Sequence, residues 1–206
     1  MSSGRSGTRD CYAGDGFTVS RVVVGPIDNN AYLVRCEPTG ISLLVDAADE
    51  IDQLTQLVGD SSVAAIMTTH GHWDHHQAAE DASQRFGVPA LLHPSDWDIA
   101  GKPFDALAAG PLSFGEVKAT VVHTPGHTPG SVCVILDGVA LTGDTLFPGG
   151  PGATRFDHSS FPTIIESIRS SLFTLPDETV VLPGHGDSTT IGQERDQLDT
   201  WIARGW

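Results

Sequence analysis

Apolar residues in the first part of the chain come in short bursts with a period near two. Phe17 to Val24, Ala31 to Cys36 and Ile41 to Asp46 are β-rich runs separated by Gly, Pro and Asn turn signals, which predicts an antiparallel meander. The period then lengthens. Ile51, Leu54 and Leu57 or Val58 stand at helical spacing within Glu50 to Val58, predicting an amphipathic helix. Val63 to Met67 reads as a buried strand, and a helical pattern from about His75 to Phe86 follows, stopped by Gly87 with Pro89 just beyond. Val88 to Leu92, Val117 to Val122, Val132 to Leu136, Val139 to Thr142 and Thr179 to Leu182 are further strands, the third and fourth joined by a hairpin turn at Asp137-Gly138. Residues 94–115 show neither period. Phe147 to Phe161 is a Gly- and Pro-rich loop, Thr163 to Leu172 a helix, and Thr190-Ile191-Gly192-Gln193 has the form of a capping box opening a last helix to about Ala203. Strand groups with intervening helices make an α/β chain whose sheets are covered by helices.

A length of 206 residues suits one well-buried core. The expectation is a single domain over residues 17–206 preceded by a polar, flexible tail over residues 1–16 that is not a secretory signal. The 26 Asp and Glu residues against 11 Lys and Arg leave a formal charge of -15, which repels phosphate backbones and anionic membranes and excludes nucleic acid as a partner. Apolar runs such as Val132 to Leu136 are too short to span a bilayer. Cys11, Cys36 and Cys133 are odd in number and have no C-x-x-C spacing, so neither a disulfide framework nor a thiolate metal site is indicated. A soluble, cytoplasmic protein is expected; its oligomeric state is left open.

The chemistry concentrates where predicted strands end. Thr69-His70-Gly71-His72-Trp73-Asp74-His75 follows the strand at Val63 to Met67. Residues two apart in extended chain point to one side, so His70 and His72 can converge on one cation. Asp74 and His75 fall where the chain turns and can face a second. His123-Thr124-Pro125-Gly126-His127-Thr128-Pro129-Gly130-Ser131, Gly143-Asp144-Thr145-Leu146-Phe147 and Pro183-Gly184-His185-Gly186 stand at three more strand ends. Five imidazoles and two carboxylates result: His70, His72, His75, His127 and His185 with Asp74 and Asp144. Nitrogen and oxygen donors without thiolate suit zinc, iron or manganese, and a carboxylate can bridge two such ions. Dinuclear hydrolysis is the chemistry this permits.

These four motifs, in this order, resemble the metallo-β-lactamase-fold hydrolases, and within them the glyoxalase II branch, from about Phe17 to the C-terminus. The resemblance implies a four-layer αββα sandwich of the metallo-β-lactamase type with its metals at one edge of the paired sheets. By motif position, His70, His72 and His127 would hold one ion, Asp74, His75 and His185 the other, and Asp144 would bridge them. Two divalent ions are implied, zinc first, with iron or manganese as alternatives. A hydroxide between them would attack a small-molecule thioester or ester, with Asp74 and Asp144 as catalytic carboxylates and no Ser or Cys nucleophile. A glyoxalase II-like thioesterase is the expected function. A persulfide dioxygenase with a single iron, or a lactonase or other ester hydrolase of the same fold, is the alternative.

The chain departs from the branch in places. His76-Gln77-Ala78-Ala79 replaces a common Gly pair, the loop after Asp144 lacks Cys-Gly-Arg, and 21 residues follow His185, with no room expected for a helical glutathione-gripping domain. Arg155, Phe147, Trp73 and His158 are candidate substrate contacts. Against this, Arg155 also reads as a surface ion pair, and Trp73, Phe147 and Phe156 as packing. His93 and His123 read as structural, His76 and, as the alternative to substrate contact, His158 as solvated.

Overall fold

The computed structural model describes residues 7–205. The chain opens with β1 (Arg9–Gly14), paired antiparallel with β2 (Phe17–Val24), which runs on through β3 (Asn29–Cys36) to β4 (Ile41–Val45) as an antiparallel meander. The expected tail is thereby corrected: Arg9 to Gly14 carry no apolar run, yet they add an edge strand whose Cys11 and Tyr12 lean on the core. The rest of that tail up to Ser6 lies outside the described residues.

α1 (Ile51–Val58) crosses to β5 (Ser62–Met67), which lies parallel to β4. Next come a 3-10 turn at Trp73–His75, α2 (Ala79–Phe86) and β6 (Ala90–Leu92). The helix expected from His75 thus begins at Ala79. Gln77 and Ala78 donate their N–H groups to the carbonyls of Ala48 and Ala47, at 3.0 and 3.1 Å, which draws the chain out of helical register before α2. The stretch 94–115, without a readable period, holds α3 (Trp97–Ala100), β7 (Asp105–Ala106) and β8 (Gly110–Phe114).

Strands β1 to β7 form one sheet in chain order. The second sheet adds β9 (Val117–His123), β10 (Val132–Leu136) and β11 (Val139–Gly143) to β8; a ribbon of β12 (Leu146–Phe147) and β13 (Gly150–Pro151) follows. α4 (Phe161–Ser167) continues as a π turn over Ile168–Leu172, and β14 (Val180–Pro183) and β15 (Thr189–Thr190) complete the order β15-β14-β11-β10-β9-β8. The last helix is two, α5 (Ile191–Arg195) and α6 (Leu198–Arg204), and Thr190 does cap the first by accepting from the Gln193 N–H.

Alternation along the strands sorts their side chains into layers. Val34, Leu43 and Val45 face Val121, Val134 and Leu141 between the sheets. Their neighbours Leu33 and Leu44 point the other way, onto Leu54 and Leu57 of α1 and Ala79 and Ala82 of α2. On the far side, Cys133 and Val181 meet Ile164, Ile168 and Trp201. Three apolar layers separate helix, sheet, sheet and helix, the αββα arrangement.

Candidate metal centre

The ends of β5, β9, β11 and β14 reach the same edge of the two sheets. His70 Nε2 lies 3.1 Å from His72 Nδ1, and His127 Nε2 lies 2.9 Å from that same atom. Three imidazole nitrogens so close match the edge of a tetrahedron around one cation, about 3.3 Å for metal–nitrogen bonds of about 2.0–2.1 Å. In a second group, Asp74 Oδ2 lies 3.4 Å from His75 Nε2 and 3.2 Å from His185 Nε2. Asp144 stands between the groups, Oδ1 3.4 Å from His75 Nε2 and Oδ2 3.6 Å from His127 Nε2 and 3.8 Å from His185 Nε2. All seven side chains singled out by the motifs are therefore neighbours, in three sets able to hold a metal ion. His75 Nε2 and Asp144 Oδ1 are buried without a hydrogen-bond partner, a cost of about 1–3 kcal/mol for each such group. A divalent cation would satisfy both.

Backbone geometry makes room for this. A side chain at Gly184 would collide with the Asp144 carboxylate and the His75 ring, so Pro183-Gly184-His185 passes beneath them only as glycine. The Asn30 N–H donates to the Gly184 carbonyl at 2.8 Å, and the Asn30 amide and Tyr32 hydroxyl donate to the Pro183 carbonyl at 2.9 and 2.7 Å. β3 of one sheet thus holds the end of β14 of the other.

The outward ring nitrogens are also engaged. His75 Nδ1 meets Asp46 Oδ2 at 2.9 Å, His70 Nδ1 meets Thr69 Oγ1 at 3.2 Å, His127 Nδ1 meets the Ala153 carbonyl at 2.7 Å, and His185 Nδ1 meets the Ile27 carbonyl at 3.2 Å. His72 Nε2 lies 3.0 Å from His158 Nε2. Such partners fix which nitrogen faces a metal. Asn29 donates to Asp74 Oδ2 at 2.8 Å. Asp96, fully buried, accepts from the Gly71 N–H, the Thr128 hydroxyl and the Gly130 N–H at 2.8, 2.6 and 2.6 Å, tying the loop of His70 and His72 to the loop of His127. Asp46, Asn29 and Asp96 escape the motif reading. Asp46 was visible only as a carboxylate at the end of the apolar run Leu43 to Val45, as Asp144 is after β11; nothing local marks the other two.

Electrostatics divide the imidazoles. Burial, then the crowding of His75, His127 and His72, holds His70 well below the ordinary histidine range. Burial, with His127 and His158 nearby, pushes His72 down to about 4. His127 is lowered by burial against the pull of Asp144. These three are neutral, the form a metal requires. Burial also works against the protonated forms of His75 and His185, but Asp144 and Asp46 outweigh it at the first, and Asp74 and Asp144 at the second, so both are raised. Asp74 and Asp144 are lowered despite their burial, the first chiefly by a hydrogen bond to His185 and the second by the charge of His75.

The centre floors a cleft of about 530 Å³ whose walls include Ile27, Trp73, Phe147, Arg155, Phe156 and His158. All four expected substrate contacts, Arg155, Phe147, Trp73 and His158, line it. His76 is not solvated: its ring is buried and bonds the Gly71 carbonyl at 3.1 Å. His123 donates to the Pro129 carbonyl at 2.8 Å and stacks on His93, centroids 4.3 Å apart; neither joins the centre.

Two sheets sandwiched by helices, with a His/Asp centre at their common edge, define a metal-dependent hydrolase fold. The profile of the Metallo-beta-lactamase superfamily matches residues 24–185, and the chain belongs to that superfamily. The probable metallo-hydrolase YqgX of Bacillus subtilis (strain 168) is 32% identical over 86% of this chain and 94% of its own length. The hydroxyacylglutathione hydrolase GloC of Haemophilus influenzae is 34% identical over 74% of this chain and 83% of its own. Among solved structures, the BLEG-1 B3 metallo-beta-lactamase superposes with a TM-score of 0.78 at 29% identity, covering 86% of this chain and 96% of that one. TTHA1623 in a di-iron-bound form superposes with a TM-score of 0.76 at 32% identity, covering 85% and 96%.

Proposed function

We propose that this chain is a dinuclear metal-dependent hydrolase of acyl thioesters, of the glyoxalase II-like type, acting on a small molecule in the cytoplasm. The observation that carries the dinuclear reading is the position of Asp144, one oxygen facing His75 and the other facing both His127 and His185. His70, His72 and His127 would hold one ion, Asp74, His75 and His185 the other, with Asp144 between. Two divalent ions, zinc first and iron or manganese as alternatives, would supply Lewis acidity for a carbonyl oxygen and bring the pKa of water toward ~7.

The chain's own residues do the rest. No Ser, Thr or Cys lines the cleft among the described residues, which favours water over a covalent side-chain nucleophile. Asn29 fixes Oδ2 of Asp74, leaving Oδ1 to orient that water or accept its proton. Ile27, Trp73 and Phe156 are among the few large apolar side chains exposed on the molecule, at 49%, 53% and 37%, and with Phe147 they offer an apolar rim to an acyl chain. Arg155 lies 5.4 Å over the Phe156 ring. Among the described residues it pairs with no carboxylate, although the chain is strongly acidic, and so it presents a cation to an anionic group of the substrate. The thioester preference draws further support from the resemblance to the hydroxyacylglutathione hydrolase relative.

The test is thiol release from 2-hydroxyacyl thioesters, S-lactoylglutathione included, by zinc- and iron-loaded protein. It is run beside a lactone, a β-lactam and, on an oxygen electrode, a glutathione persulfide. Thiol release faster than every other turnover is expected. Oxygen uptake without thiol release would assign a dioxygenase, and lactone or β-lactam turnover alone would move the reaction to that ester or amide.

A further inference from the structure

The five imidazoles of the centre rely on outward partners of two kinds. Thr69 Oγ1, Asp46 Oδ2 and the Ile27 carbonyl belong to β-strand ends or their turns and serve His70, His75 and His185. The partners of His72 and His127 both come instead from residues 153–158, the segment between β13 and α4. His127 Nδ1 takes the Ala153 carbonyl at 2.7 Å, and His72 Nε2 takes His158 Nε2 at 3.0 Å.

We propose that His158 is a positioning residue for His72, and that segment 153–158 braces the His70, His72, His127 set alone, making the first metal site separable from the second. With Nδ1 of His72 facing His70 and His127, its proton sits on Nε2, and His158 Nε2 accepts it. The donated bond holds the ring against rotation about its own axis, the one freedom that would carry Nδ1 away from its two neighbours. Phe156 completes the brace. Its ring packs edge-on against His72 with centroids 4.8 Å apart, and it stacks on His158 at 5.6 Å with planes 6° apart. The segment is anchored by its own turn, Phe156 N–H donating to Ser159 Oγ at 3.0 Å, and by Ser160 N–H donating to the Gly126 carbonyl at 2.8 Å. None of these contacts reaches Asp74, His75 or His185. Arg155 and Phe156 also wall the cleft, so a molecule entering there meets the segment that braces the first site.

This inference rests on the metal reading of His70, His72 and His127 and is independent of which ester is cleaved. Substrate-free protein is stripped and titrated with cobalt(II), followed by its absorption bands, and with zinc(II) against a competing chelator. Two binding constants are expected for the wild type. In His158→Ala one should weaken about 10–100-fold with altered cobalt bands while the other stays put, and the metal-free melting temperature should not move, since His158 is exposed. His158→Gln, which keeps a side-chain acceptor, should recover most of the loss. Unchanged constants, equal weakening of both sites, or a Gln variant no better than Ala would overturn the proposal, as would the same loss in Asp157→Ala. Wild-type protein that binds no cobalt or zinc would instead overturn the metal reading itself.

Discussion

Asp46 makes the sharpest case for a residue that no motif names. It follows β4 in left-handed backbone, φ 57°, and is buried. Its Oδ1 accepts from the Thr69 N–H at 2.7 Å, and its Oδ2 takes the Thr69 hydroxyl and His75 Nδ1, each at 2.9 Å. Truncation to Ala leaves the Thr69 N–H and the His75 Nδ1–H buried without partners, about 1–3 kcal/mol each, and forces an ordinary L-residue into left-handed backbone at about 1–2 kcal/mol. A loss of about 3–8 kcal/mol is expected in urea unfolding of the metal-free protein, equivalent to about 6–32 °C of melting temperature at this chain length. Asp46→Asn separates fold from function. Asn tolerates left-handed backbone and keeps an oxygen for the Thr69 N–H, so about 1–2 kcal/mol is lost. Its amide N–H now faces His75 Nδ1, however, and neutral His75 must carry its proton on Nε2, the nitrogen that looks toward Asp74 and Asp144. Metal affinity of the Asp74, His75, His185 set should fall at least about 10–100-fold, and nitrogen-15 NMR of the imidazoles should report the reversed tautomer. An Asn variant with native metal affinity and Nδ1–H retained would falsify this account, as would an Ala variant within about 1 kcal/mol of wild type.

Other outcomes follow from the same geometry. Protein purified without chelator should carry two divalent ions per chain by elemental analysis; one iron, with no second ion taken up on reconstitution, would contradict the role of Asp144 between two sites. Asp144→Ala should lower kcat/KM roughly 10³-fold or more while circular dichroism stays native, and full activity in that variant would remove the assignment. Arg155→Ala should raise KM about 10-fold for carboxylate-bearing thioesters and leave neutral ones unchanged, whereas equal effects on both would return Arg155 to a purely surface role.

Much of this molecule is legible residue by residue, because strand and helix periodicity and turn chemistry are properties of a few neighbouring positions. The meander from Phe17 to Val45, the strand ahead of His70, the cap at Thr190 and the ligand-type side chains of each motif are all local in that sense. Their assembly is not local. Alternation shows that Leu43 and Leu44 face opposite ways, but only the packed layers decide that Leu43 looks into the sheet–sheet core and Leu44 toward helix α1. The helical pattern beginning at His75 loses its first turn to hydrogen bonds with Ala47 and Ala48, and β1 is a strand because β2 offers it an edge. The partners that orient the centre are likewise tertiary. Asp46 lies 29 residues from His75, Asn29 lies 45 from Asp74, and Asp96 lies 25 from Gly71. A buried carboxylate or amide far along the chain has no periodicity to announce it. Its role exists only once the two sheets meet and close their strand ends over one charged pocket, where every polar atom that gives up water must find another partner.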